Sequence, residues 1–202
     1  MGLSKTDKNA LNVFKKSGGM LRTLQVLESG VHPRTLYGLR DRGLLEQVSR
    51  GVYRLAELLP LGNPDLVRVA VRVPKAVVCL ISALHFHDLT SEIPHEVQIA
   101  LSRGAKAPRL RRPPIRVFWF AQSTFGEGVE VHSVDGVEIR IYGPAKTVAD
   151  CFKFRSKIGT DVALEALRSG IGDQRFSPAE LMQFARICRV QHTIRPYLEA
   201  VL

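Results

Sequence analysis

Apolar positions in the first quarter of the chain recur at helical spacing. Residues 3–16 carry Ala10, Leu11, Val13 and Phe14 among lysines, which predicts a helix ended by Ser17-Gly18-Gly19. Residues 22–29 predict a short second helix with Leu24, Val26 and Leu27 available for packing. After the turn Gly30-Val31-His32, Pro33 suits the first position of a third helix, where a missing N–H loses no hydrogen bond. There Leu36 and Leu39, three apart, face inward, while Arg34, Thr35, Tyr37, Gly38 and Arg42 lie on other faces. Gly43 is placed to end this helix in the left-handed conformation. Residues 44–48 and 52–55 are β-prone around Ser49-Arg50-Gly51, a hairpin with Arg50 near its tip. A short helix running into a basic hairpin is the order of a winged helix-turn-helix.

Residues 58–63 read as a linker, so the expected domains are 1–57 and 64–202. In the second, residues 65–73 and 75–87 predict helices parted by Pro74. Strands are expected at 96–101, 115–121, 129–134 and 137–142, the last two flanking the hairpin signal Asp135-Gly136. Helices follow at 144–157 and 161–169. Ser177 and Glu180 form a capping box opening another, and a last helix covers 195–202. The fold class is α+β: a winged helix-turn-helix domain, then an α/β domain with a largely antiparallel sheet and C-terminal helices.

Charge sharpens this picture. Residues 1–55 hold 10 Lys/Arg against 4 Asp/Glu, residues 56–120 hold 9 against 5, and residues 121–202 hold 10 against 10. The +10 net charge therefore sits in the first two-thirds, as expected of a protein whose partner is a polyanion; a well-solvated surface accounts for charge alone equally well. With 45% hydrophobic residues the chain can bury a core. Cys79, Cys151 and Cys188 are an odd number without paired spacing and fit reduced thiols in a cytoplasmic protein. No apolar run has membrane-spanning length, and the polar, basic N-terminus is unlike a secretory signal, so no membrane partner is expected.

The candidate DNA-binding residues follow from the helix and wing. Arg34 and Arg42 suit guanine or phosphate, Thr35 a thymine methyl or phosphate, and Tyr37 a phosphate oxygen; Arg50 and Arg54 are wing cations. The alternative is a protein–protein module with the same residues solvated. The loop at 103–114 offers Arg103, Lys106, Arg109, Arg111 and Arg112 as a second nucleic-acid surface or as an ordinary solvated loop. His85 and His87 do not share a helical face, so a capped helix end is expected there and no metal site. Asp88, Glu96 and Gln98 are unlike a nuclease centre, because Gln98 stands where that chemistry needs lysine. Cys151, beside Asp150 and near Lys153, falls on an apolar helix face with Val148 and Phe152 and reads as core. No phosphate-binding glycine loop or nucleophile elbow is present, so neither an enzyme nor a cofactor is expected.

Three segments in order, GVHPRTLYGLRDRGLLEQVSRGVYRL, SALHFHDLTSEIPHEVQIAL and RIYGPAKTVADCF, resemble the AbiEi antitoxins of bacterial type IV toxin–antitoxin, or abortive-infection, systems. The first is shared by many winged-helix proteins; the ordered set is more specific, and the likeness covers roughly residues 10–190. It implies a repressor of its own operon that binds inverted repeats, as a homodimer on DNA, through Arg34, Thr35, Tyr37, Arg42 and Arg50. It also implies a C-terminal domain required to neutralise a nucleotidyltransferase-like toxin, with which it need not form a stable complex. A transcriptional regulator whose C-terminal domain senses a ligand or partner, with no antitoxin role, is the second expectation.

Overall fold

The computed structural model describes residues 2–202 and divides into two compact units: residues up to 72 with 133–137, and residues 73–132 with 138–202. In the first, α1 (Lys5–Lys16) opens on a capping box in which Ser4 and Asp7 satisfy each other's backbone N–H groups. Then come β1 (Met20–Arg22), α2 (Thr23–Glu28), α3 (Pro33–Asp41), β2 (Leu45–Ser49), β3 (Val52–Leu55) and α4 (Pro64–Arg72). The strands form an antiparallel sheet in the order β1-β3-β2. Phe14 of α1, Val26 of α2, Leu36 and Leu39 of α3, and Leu45, Tyr53 and Leu55 of the sheet share one core.

The local predictions for α3 hold. Pro33 opens it, and Gly43 (φ 72°) closes it: Leu44 N–H donates to Leu39 O and Gly43 N–H to Arg40 O. β1 was not expected; three residues are too few for a period-2 signal. The expected boundary at Pro64 also differs, because α4 lies with the first unit. There Arg68 Nε donates to Val48 O (3.3 Å) and Arg22 donates to Val71 O (3.0 Å).

The second unit contains β4 (Val77–Val78), α5 (Leu80–Phe86), β5 (Val97–Ser102), β6 (Ile115–Phe120), α6 (Gln122–Phe125) and most of β7 (Val129–Val134) and β8 (Val137–Tyr142). Five helices complete it: α7 (Pro144–Lys153), α8 (Arg155–Ile158), α9 (Thr160–Gly172), α10 (Pro178–Cys188) and α11 (Gln191–Glu199). The sheet order is β6-β5-β4-β8-β7. β4 runs antiparallel to β5, but β5–β6 and β4–β8 are parallel, so the sheet is mixed rather than largely antiparallel. The expected helix over 75–87 is two elements, β4 and α5, since a continuous apolar run reads alike as buried strand or helix. Asp135 (φ 52°) and Gly136 (φ 76°) make the expected two-residue hairpin turn. Ser177 Oγ caps α10 by accepting from Glu180 N–H; the reciprocal half of the box, from the Glu180 side chain, is not formed. α11 begins at Gln191, four residues before the expected start, and accommodates Pro196 within it. α7, buried from Ala145 to Phe152, packs among α5, α9 and α10 at the heart of this unit's core.

Candidate nucleic-acid interface

α3 follows α2 after a four-residue turn in which Gly30 (φ 81°) supplies the left-handed backbone. His32 caps α3, its Nδ1 accepting from Arg34 N–H at 3.2 Å. At about 100° per residue, Arg34, Tyr37, Gly38 and Asp41 lie opposite the buried Leu36 and Leu39. Arg34 is exposed, Tyr37 keeps 40% of its surface open, and Thr35 is half-buried at the margin. Tyr37 packs edge-on against Tyr53 (6.4 Å), which braces the ring. Arg40, which sequence reasoning passed over, lies across the Tyr37 ring at 5.2 Å and is held by Asp41. The ring and the guanidinium thus brace one another on the same helix.

Of the expected DNA contacts, Arg42 is engaged within the protein and Arg54 is corrected to a buried position. Arg42 grips Asp7 with two nitrogens (2.7 and 3.1 Å) and donates through Nε to Gly38 O, tying the end of α3 to the start of α1. The Arg42 guanidinium, with Ser4, holds the Asp7 carboxyl well below the usual carboxylate range. Arg54 is 2% exposed, because β3 is the central strand and is covered on both faces. Its guanidinium donates to Leu59 O, and its Nε lies 2.8 Å from Glu46 Oε1, an ion contact too bent for a hydrogen bond. Arg54 has no surface to offer a phosphate, while the Arg42 side chain is engaged with Asp7 and 42% exposed. Arg50 is exposed in the turn between β2 and β3, where Gly51 (φ 73°) closes the bend. The face left by the structure is Arg34, Tyr37 and the flank of Thr35 on α3, with Arg50 on the hairpin.

In the second unit Arg103, Lys106, Arg109, Arg111 and Arg112 are all exposed, and among the described residues none of their side chains has a hydrogen bond or ion pair. The loop is anchored at its base: Ala105 N–H donates to Ser102 O, and Trp119 Nε1–H donates to Ala105 O (3.2 Å). Gln98 accepts from Ile81 N–H at 2.9 Å, and Glu96 lies 3.8 Å from Arg116; these are structural roles. Cys151 is fully buried in the core, and burial pushes its thiol well up.

Two groupings went unseen in the sequence. Lys146 and Asp150, both fully buried on α7, form an ion pair, and Cys188 Sγ reaches the other carboxylate oxygen at 3.1 Å. Burial raises the Asp150 carboxyl, with Lys146 drawing it back. Their i,i+4 spacing on an apolar helix was the available signal. His87 lies with Glu130 and His132, over forty positions away, where no local signal exists.

Residues 10–56 match the model of a family described as a transcriptional regulator, AbiEi antitoxin. No curated protein matches the chain. Among solved structures, the RV2827C protein from Mycobacterium tuberculosis is similar over 98% of this chain and 82% of its own, with a TM-score of 0.61 at 11% identity, a likeness of fold.

Proposed function

We propose, from the match of residues 10–56 to a family described as a transcriptional regulator, AbiEi antitoxin, that this protein is the antitoxin of a type IV system and represses its own operon. The N-terminal unit is read as a winged helix-turn-helix, with α3 entering the major groove and the Arg50 turn as the wing. The observation that carries this reading is that Arg34 and Tyr37 are presented on the outward face of α3 while its other basic residues, Arg40 and Arg42, are engaged within the protein. A single helix and wing cover few base pairs, so affinity calls for two copies on an inverted repeat, with half-sites about one helical turn, ~34–36 Å, apart. Arg34 suits a guanine edge or phosphate, Tyr37 and Arg50 suit phosphates, and Thr35 is a marginal contact. The cations at Arg103, Lys106, Arg109, Arg111 and Arg112 form a second nucleic-acid surface. Antitoxin activity belongs to the second unit and is directed at a nucleotidyltransferase-like toxin in the cytoplasm. No helix among the described residues is long and apolar enough to cross a membrane.

The test is co-expression with a nucleotidyltransferase-like neighbour, alongside a reporter driven by the upstream DNA. The wild type is expected to restore growth and silence the reporter. The Arg34→Ala/Arg50→Ala variant is expected to restore growth while the reporter stays active. Failure of the wild type to protect overturns the antitoxin role; silencing by the double variant overturns the assigned DNA face.

A further inference from the structure

The second unit gathers a histidine–carboxylate–histidine group that the reading above does not use. His87 closes α5, Glu130 and His132 belong to β7, and one donor atom from each lies within 4.8 Å of the other two. We propose that His87, Glu130 and His132 bind a Zn²⁺ ion, with a fourth position left to water.

The backbone holds His87 in place. Leu89 N–H donates to Leu84 O, and Asp88, at φ 57°, donates its N–H to His85 O, so α5 ends in a Schellman turn with His87 as its C-cap. His87 Nε2 lies 2.8 Å from Tyr142 O. A carbonyl oxygen only accepts, so Nε2 carries the proton and Nδ1 keeps its lone pair. A histidine that gives its other N–H to a backbone carbonyl is oriented as metal-binding histidines are. Glu130 and His132 are two apart on a strand and share a face, with Glu130 Oε2 2.9 Å from His132 Nε2. That hydrogen bond accounts for two of the groups; the third, His87, is a buried imidazole that the pair does not explain. Glu130 also approaches the backbone closely: a Cβ at Gly143 would stand 2.3 Å from its Oε1. The Phe86 ring lies 5.3 Å from His87 and 5.0 Å from His132, giving the site one apolar wall.

Two imidazoles and one carboxylate are a donor set that zinc takes in three-ligand sites. Bonds of about 2.0–2.1 Å in a tetrahedron place donors about 3.4 Å apart, so no gap here need close by more than about 1.4 Å on binding. The movable groups are at the sheet edge: the side chains of Glu130 and His132 are 47% and 31% exposed. A bound ion joins edge strand β7 to the end of α5.

The experiment is titration of the tag-free, chelator-treated full chain with ZnCl₂ in competition with a chromophoric chelator. One Zn²⁺ per chain is expected. His132→Ala and Glu130→Gln alter partly exposed residues, and far-UV circular dichroism checks their folding. Each should weaken binding by more than the roughly 10–100-fold that losing a ligand's hydrogen-bond partner causes. His85→Ala, exposed and outside the group, should bind as the wild type does. No stoichiometric uptake by the wild type, unchanged uptake by both ligand variants, or loss in His85→Ala would each overturn the proposal.

Discussion

Replacing Lys146 with Met leaves the Asp150 carboxylate in a fully buried site with one remaining donor, the Cys188 thiol at 3.1 Å. Breaking a buried ion pair from one side costs about 3–5 kcal/mol. The structure sets its own ceiling on this figure, because a stranded carboxyl escapes by taking up a proton. From an unfolded value near 3.9 to pH 7, at about 1.4 kcal/mol per unit, that escape costs about 4 kcal/mol. The sign follows from burial, which raises the folded carboxyl above its unfolded value. The penalty is therefore small below about pH 4 and grows as pH rises. Relative to wild type, Lys146→Met should recover about 2.7 kcal/mol between pH 7 and pH 5. Asp150→Asn leaves the ammonium with the faces of Tyr142 (4.1 Å) and Phe120 (4.9 Å), which offset part of its loss. The double change Lys146→Met/Asp150→Leu removes both charges and should be much less destabilised than either single variant. Urea unfolding with linear extrapolation measures this. Trp119, the sole tryptophan, lies in the second unit and reports on it by fluorescence. A Lys146→Met penalty under about 1 kcal/mol at pH 7, unchanged at pH 5, would refute the reasoning.

The Asp7–Arg42 pair makes the N-terminal unit acid-sensitive. Arg42, with Ser4, depresses the Asp7 carboxyl, so its stabilisation is complete above an unfolded value near 3.9 and is lost as pH falls toward the folded one. Circular dichroism from pH 6 to pH 2 should show wild type losing more stability than Asp7→Asn. Leu36→Ala, at a fully buried position, should lower that unit's stability by about 2–5 kcal/mol in thermal or urea unfolding. Arg54→Ala should destabilise the same unit while leaving the salt dependence of DNA binding unchanged, because Arg54 is spent on Glu46 and Leu59.

What was legible in the sequence was local. Pro33, Leu36, Leu39 and Gly43 carry helix start, face and stop within eleven residues, and Asp135-Gly136 signals its turn by itself. Pairings distant in sequence were not legible. A side chain's charge is written in the sequence, but whether it is already spent is decided elsewhere: Arg42 finds Asp7 35 positions away, and Arg54 is buried because its strand became central. β4 is two residues inside an apolar run, yet it links both halves of the sheet, and the parallel pairings β4–β8 and β5–β6 leave no local signature. The His87 group depends on that same topology, which brings β7 near the end of α5.

The most direct test of the DNA-reading face is the salt dependence of binding to the protein's own upstream DNA, measured by fluorescence anisotropy for wild type and Arg34→Ala/Arg50→Ala. If both arginines meet phosphates, the slope of log K against log salt becomes shallower by about 1.8, roughly 0.9 for each contact. If Arg34 instead reads a guanine edge, the slope falls by about half as much and affinity drops by a further ~1–3 kcal/mol on the specific site alone. An unchanged slope and affinity would contradict the assignment of α3 and the Arg50 turn as the DNA-reading face.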